Sequence, residues 1–346
     1  VQVRPTPTAM LENYWYIACR ARELADRPVP FSLFDRPFVL FRDRHGRPGA
    51  LEDRCAHRNA PLSAGKNCGG LLECPYHGWR YHTDGRAVDI PALPENTPIS
   101  EQLRVKAYPC VEQDGYVWVC VGDRPTRDRP SSFPHLGDRG WTTFHLKTRF
   151  RAPVASCLEN FLDCPHATFV HRFWFRAPTA KPVRAIVRSL EDGAVAEYFE
   201  EPREKSLVWS LLSQKRTRLQ HTDRFIAPAT SRVDYIFSDR RHYIITSSCT
   251  PLSDRETEVY TVITFRFGAI GWLIRLFFEP MSRWIIYQDV KILNQQQQNI
   301  DRFGKTAYKF IPPDLLAPYI WKWRQAIATQ TPPPPPGQEH HVEMRL

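Results

Sequence analysis

The chain has 346 residues, of which 42% are hydrophobic and 24% charged, with a formal net charge of +10. That length supports about two domains with a substantial core, and the balance is that of a soluble globular protein. The Arg and Lys residues are spread along the chain and accompany no recognised binding module, which argues against nucleic acid as the partner. Nine Cys, an odd number without disulfide-framework spacing, suit a reducing cytoplasm, and no signal-peptide succession opens the chain.

The first elements expected are strands over residues 14–18 and 38–41, short aromatic and β-branched runs, with a hairpin turn over residues 43–46. Two metal-ligand loops follow, Cys55-Ala56-His57 and Cys74-Pro75-Tyr76-His77. Residues 81–88 and 115–121 read as further strands. Residues 1–130 are therefore expected to form a small all-β domain that carries the two loops at its tips.

Two sulfur and two imidazole ligands in C-x-H and C-x-x-H loops match the ligand set of a Rieske cluster, in which two His replace two Cys on one iron and raise the potential. A structural zinc site is the competing reading, because two Cys and two His also make a tetrahedral zinc shell. Zinc fingers pair their cysteines in one knuckle, whereas each loop here contributes one Cys and one His, as a binuclear cluster requires. The flanks, residues 58–62 and 78–81, contain Gly and Pro turns able to aim backbone N–H groups at sulfur. Cys68, between the loops, reads as a small packing residue.

Residues 123–134, rich in Arg, Asp, Pro and Ser, read as a linker. Period-two patterns over residues 194–199, 232–237, 242–246 and 258–267 predict a large antiparallel sheet, and helical periodicity appears around residues 155–169, 284–299 and 314–328. A second, α+β domain over residues 131–331 follows. Residues 265–281 are apolar, but Arg266 and Arg275 interrupt them and Pro280 is expected to stop them. The segment falls short of a membrane span and reads as a buried helix, with a peripheral membrane contact or an apolar pocket wall as the alternatives. Residues 332–346, which begin with a Pro run, read as an extended or disordered tail.

A second constellation, N-x-x-D-x-x-H-x-x-x-x-H, runs from Asn160 through Asp163 and His166 to His171. Asp163 and His166 share a helix face, so the carboxylate can accept a hydrogen bond from the imidazole. His171 lies about 140° round an ideal helix from His166, so a bulge or helix end must bring it back. Two imidazoles with one distant carboxylate form the facial triad of a non-haem ferrous site with open positions for O₂. Glu279, Asp289 and Asp301 are the acids available for the third position. Cys164, directly after Asp163, reads as a packing residue.

The paired loops and the Asn160–His171 motif together resemble the catalytic subunit of the Rieske non-haem iron oxygenases. The resemblance covers nearly the whole chain and is closest to the branch of vanillate and dicamba demethylases, pheophorbide-type oxygenases and saxitoxin-pathway hydroxylases. Respiratory Rieske proteins add a disulfide between the loops, and Ala60 and Tyr76 occupy those places here. The resemblance implies a helix-grip, START-like catalytic domain. It also implies a [2Fe–2S] cluster on Cys55, His57, Cys74 and His77, and a mononuclear Fe(II) on His166 and His171 with Asp289 as third ligand, since residues 287–293 best match the family's late acidic motif. Asp163 is implied as the carboxylate bridging His77 of one subunit to His166 of the next in a homotrimer, and Asn160 as a polar residue near the iron. O₂ is the implied co-substrate. With no G-x-G-x-x-G loop in the chain, NAD(P)H is reached only through a separate reductase, with or without an acidic ferredoxin that the positive charge would attract. The implied reaction is monooxygenation of a small, ring-containing organic substrate, by hydroxylation or demethylation. Desaturation or cis-dihydroxylation on the same iron, or a plain electron carrier or zinc-binding module without oxygenase activity, are the alternatives. Residues Phe173, Trp174, Phe175, Trp209, Phe225, Phe237 and Tyr243 offer stacking surfaces, or else core.

Overall fold

A computed structural model describes residues 11, 13–122, 124–172, 174, 182–199, 219–238, 240–268, 271–304 and 306–345. Two units separate at Ser132 and Phe133, inside the Pro- and Ser-rich stretch that the sequence marks as a linker.

The first unit, Glu12–Ser132, is built from three small antiparallel sheets. β1 (Trp15–Arg20), β11 (Tyr116–Cys120) and β10 (Cys110–Gln113) form one, in the order β1-β11-β10. A second joins β2 (Val29–Leu33), β3 (Arg36–Arg42), β4 (Pro48–Glu52) and β9 (Ala107–Tyr108). The third joins β5 (Lys66–Cys68), β6 (Leu71–Glu73), β7 (Arg80–Tyr81) and β8 (Ala87–Asp89). The single strand expected over residues 81–88 is instead a hairpin. Gly85, at φ +86°, donates its N–H to the His82 carbonyl and turns the chain between β7 and β8, a conformation that costs glycine little. Val39, Phe41, Leu51, Leu62, Leu72 and Tyr81 pack together with Cys55 and Cys74 in one buried cluster.

The second unit holds an eight-stranded antiparallel sheet in the order β12-β18-β17-β16-β15-β14-β13-β19. Its strands are β12 (Thr142–Phe150), β13 (Pro182–Leu190), β14 (Gly193–Phe199), β15 (Gln220–Ile226), β16 (Thr230–Ser238), β17 (Arg241–Pro251), β18 (Thr257–Arg266) and β19 (Glu339–Arg345). Among the described residues the helices are α1 (Val154–Phe161), α2 (Gly271–Phe303) and α3 (Ala317–Thr329). α1 packs on β16, β17 and α3, α2 on β12, and α3 on β14. Strands that cross the sheet with one face covered by helices account for the alternating burial of β13 to β16. The arrangement is the α+β fold with a large antiparallel sheet that the sequence implies.

Three expectations need correction. The helix expected over residues 155–169 ends at Phe161, and a 3₁₀ turn, Pro165–Thr168, follows. The ladder tightens at Asp163, whose N–H goes to the Asn160 carbonyl, and Pro165, with no N–H to give the Phe161 carbonyl, keeps it from resuming. The apolar segment 265–281 is not a buried helix. Its start belongs to β18, α2 begins at Gly271, and Pro280 sits inside the helix without ending it. Phe278, Met281 and Ile285 are buried on one face of α2, while Trp272 and Leu276, each 67% exposed, lie outside that face. The apolar contacts of the inner face offset the roughly 3 kcal/mol that a Pro in a helix interior costs. No described helix is long and apolar enough to cross a membrane.

The third correction concerns the tail. Residues 332–336 carry no regular structure, but residues 339–345 form β19, which pairs with β13 and closes the edge of the sheet. Met344 is 4% exposed opposite Val183, and the turn is tied by Ser189 N–H to the Gln338 carbonyl and Gly337 N–H to the Ser189 carbonyl. Met344→Ala is therefore expected to destabilise the full chain by about 2 kcal/mol in denaturant unfolding, whereas a flexible tail would leave the transition where it was.

Candidate functional site

In the first unit the two ligand loops are near-copies of each other. Cys55 N–H donates to the Ala60 carbonyl and Asn59 N–H to the Cys55 carbonyl; Cys74 N–H donates to Trp79 and Gly78 N–H to Cys74. The fifth residue of each loop, Asn59 at φ +59° and Gly78 at φ +73°, takes the left-handed conformation that reverses the chain. Gly and Asn tolerate that region.

This geometry draws the four side chains together. Cys55 and Cys74 are buried at 1% and 2% exposure, and the His57 and His77 rings are 4.5 Å apart. Trp79 stacks on His57 at 4.7 Å with planes 4° apart, and Tyr81 Oη lies 3.1 Å from Cys55 Sγ. The Tyr76 and His77 N–H groups point at Cys74 Sγ and work against burial, which pushes that thiol up. His57 Nδ1 is buried with no hydrogen-bond partner. Two buried sulfurs, a paired imidazole edge and an orphaned ring nitrogen fit a [2Fe–2S] cluster of the Rieske ligand type. None of the nine Cys is disulfide-bonded. Cys68 reaches toward Glu73 at 3.4 Å and stands outside the loops.

In the second unit His166, His171 and Asp289 bring one ligand atom each within 4.8 Å of one another. The break after α1 accounts for the five-residue spacing of the histidines. His166 sits in the 3₁₀ turn, whose carbonyl accepts from Phe169 and Val170 N–H, and the chain then leaves the helix so that His171 returns toward it. Asp289 comes from the buried face of α2. Glu279 is instead held by Arg275 and Arg283, and Asp301 by Gln297 and Arg255.

The protons decide what this trio can hold. His171 Nδ1 donates to Gln288 Oε1 at 2.8 Å, and His166 Nδ1 donates to the Asp163 main-chain carbonyl. In neutral imidazoles both Nε2 atoms are then lone pairs. They face Asp289 Oδ1 at 3.0 Å from His171 and 3.5 Å from His166, and Oδ1 has no donor of its own. Three acceptors turned toward one buried point are satisfied by a cation, and the donor set fits non-haem ferrous iron. Without one, burial presses His166 down and Asp289 up, but their mutual attraction outweighs it, so His166 is raised and Asp289 lowered.

Asp163 does not bind His166 as the sequence suggests. The main-chain carbonyl takes the hydrogen bond, and the carboxylate Oδ2 lies 3.7 Å away. Burial pushes the Asp163 carboxyl up, and the His166 charge opposes it. Asp163, Asn160 and His166 border two hollows, the cavity over the sheet and an outer one beside Tyr308 and Asp314. Asn160 Oδ1 is buried without a partner there.

The cavity over the sheet contains about 930 Å³ of unfilled space counted out to its mouth. Its walls include buried Cys164 and Tyr243. Phe225 and Phe237 are core, Trp174 is not on the wall, and Phe173, Phe175 and Trp209 lie outside the described residues. Sequence reasoning missed Gln288, although it adjoins Asp289. It also missed His221 and Asp223, whose signal was two polar residues at inward positions of a period-two strand. Gln288→Leu is expected to weaken iron binding at the second centre about 10- to 100-fold in metal titrations while leaving the cluster's visible spectrum intact. Unchanged iron affinity would contradict the role given to Gln288.

Residues 14–109 match the family model described as the Rieske [2Fe-2S] domain, and residues 150–316 match the vanillate O-demethylase oxygenase C-terminal domain. Chlorophyllide a oxygenase of Chlamydomonas reinhardtii is 28% identical over 337 residues, covering 95% of this chain and 50% of that protein. The oxygenase component of dicamba O-demethylase from Stenotrophomonas maltophilia is 35% identical over 169 residues, 47% of this chain and 48% of that one. The chain thus spans about half the length, or less, of the curated relatives it matches. Dicamba monooxygenase bound to dicamba shares the fold, with a TM-score of 0.78 at 20% identity over 93% of this chain and 98% of that one. With a Rieske domain followed by a vanillate O-demethylase-type oxygenase domain, the chain belongs to the Rieske non-haem iron oxygenases.

Proposed function

We propose that the chain is the catalytic component of a Rieske monooxygenase. It uses O₂ and electrons from a separate reductase, with or without a ferredoxin, to hydroxylate a C–H bond of a small ring-containing substrate. One oxygen atom enters that bond and the other leaves as water; on an N- or O-methyl group the product releases formaldehyde, which amounts to demethylation. The observation that carries this reading is the convergence of His166, His171 and Asp289 at the edge of a cavity, in a chain that also carries the four-ligand Rieske loops. Relatives named as an O-demethylase and a monooxygenase subunit support it.

When bound, the ferrous ion supplies O₂ binding and activation, and the cluster supplies one-electron storage. The chain's own residues do the rest. His166, His171 and Asp289 would hold the metal at the edge of the cavity. Gln288 and the Asp163 carbonyl fix the imidazole tautomers, a constraint that sharpens metal geometry. Apolar cavity walls exclude bulk water from the reacting bond.

Cys55, His57, Cys74 and His77 hold the cluster, and exposed His77 is the ligand best able to meet another protein. In a homotrimer working in the cytoplasm, His77 of one copy would donate to the Asp163 carboxylate of the next, and the Asp163 main-chain carbonyl would complete the bridge to His166. The 3.7 Å gap between Asp163 Oδ2 and His166 leaves that carboxylate with acceptor capacity to spare.

Two outcomes check this reading. With reductase, ¹⁸O₂ and a panel of methoxy- and N-methyl-arenes, one labelled oxygen per product or stoichiometric formaldehyde is expected. NADH oxidation that never yields an oxygenated product would contradict it. Asp163→Ala is expected to keep both metals by iron analysis and EPR yet lose turnover by about 100-fold or more, and near-normal product formation would sink the bridge.

A further inference from the structure

The cavity wall facing the helices carries a polar device that the metal centre does not use. Cross-strand register sets Tyr198, His221 and Tyr235 in one row on β14, β15 and β16. The His221 ring is sandwiched between the two phenol rings, at 4.4 Å and 14° from Tyr198 and 4.3 Å and 21° from Tyr235. One register step away, Asp223 receives His221 Nε2 at 3.0 Å and the Tyr198 hydroxyl at 2.9 Å. Asp223 is 3% exposed and lines the cavity.

Asp223 stands at the end of an apolar row. Its register partners across the sheet are Val233, then Ile245, then Ile263, all on the cavity wall. A flat ring resting on those three side chains would present its edge to the carboxylate. Two donors occupy one lone pair on each oxygen, and a carboxylate has about four such sites, so Asp223 can accept further hydrogen bonds from a ligand. Among the described lining residues there is no Arg or Lys, while Asp163, Asp223 and Asp289 are all present. A ferrous ion at the Asp289 site would offset part of this charge, and no described Arg or Lys of the lining offsets Asp223.

We propose that Asp223, held by Tyr198 and His221, is the substrate-recognition acceptor of this cavity, and that the substrate is an arene carrying an N–H donor, neutral or cationic, and not an arene carboxylate or sulfonate. Burying an anion beside a carboxylate that no described Arg or Lys of the lining offsets costs like-charge repulsion on top of desolvation, whereas an ammonium or N–H group gains a charge-assisted hydrogen bond. This rests on the oxygenase reading for the identity of the cavity as the substrate site.

The test compares two probes with the same ring and the same methyl ether, 4-methoxybenzylamine and 4-methoxybenzenesulfonate. Each is titrated calorimetrically, without O₂, into the full chain loaded with both metals. The amine is expected to bind roughly tenfold or more tighter than the sulfonate, and Asp223→Asn is expected to bring that ratio close to one. Sulfonate binding as tight as the amine's, no detectable amine binding, or a ratio unchanged in Asp223→Asn would overturn the assignment. The wild-type comparison stands even if the variant folds poorly. Formaldehyde release from the bound amine is scored separately. Binding preference without formaldehyde would count against the oxygenase reading and leave the role of Asp223 intact.

Discussion

Three ligand atoms that face one another around one point are the constraint on which the second unit turns. The nitrogen lone pairs of His166 and His171 and the Asp289 carboxylate oxygen meet because the far nitrogen of each ring is already committed, to the Asp163 carbonyl and to Gln288. Left alone, such a cluster is costly in a low-dielectric interior; with a divalent cation it becomes a binding site. The surrounding fold serves that convergence. The break at Pro165 returns His171 to His166, the inner face of α2 delivers Asp289 and Gln288, and the antiparallel sheet supplies the opposite wall of the cavity.

The first unit solves a related problem with local means. Each loop closes on itself through the same two backbone hydrogen bonds and one left-handed residue, so its Cys and His are positioned before any metal binds. Burial in the Phe41, Leu62 and Tyr81 cluster keeps water from the sulfurs, and the histidine edge stays at the surface. An electron store needs that asymmetry: a dry cluster and a wet exit.

Much of this was legible in the sequence where spacing carries the chemistry. Cys-x-His and Cys-x-x-His loops fix their ligands within a few residues, whereas the short spacing of Asp163 and His166 suggested a helical face that the end of α1 removes. Asp289 needed a resemblance to be preferred over Glu279 and Asp301, because nothing local distinguishes three acids on one helix. Their ion-pair partners do, and those appear only in three dimensions. The same limit hid β19, whose polar sequence gains its strand from pairing with β13 about 150 residues earlier. It also hid the role of Asp223, which depends on a register shared by three strands. Pro280 misled for the opposite reason: a strong local breaker is overridden by packing of the inner face of α2.

Mössbauer spectroscopy of the ⁵⁷Fe-loaded full chain tests the convergence most directly. Wild type should show the cluster together with a separate high-spin ferrous site, and Asp289→Ala should lose the ferrous site while the cluster signal is unchanged. A ferrous signal that survives in Asp289→Ala, or a wild type that holds only cluster iron after loading, would contradict a metal centre built from His166, His171 and Asp289.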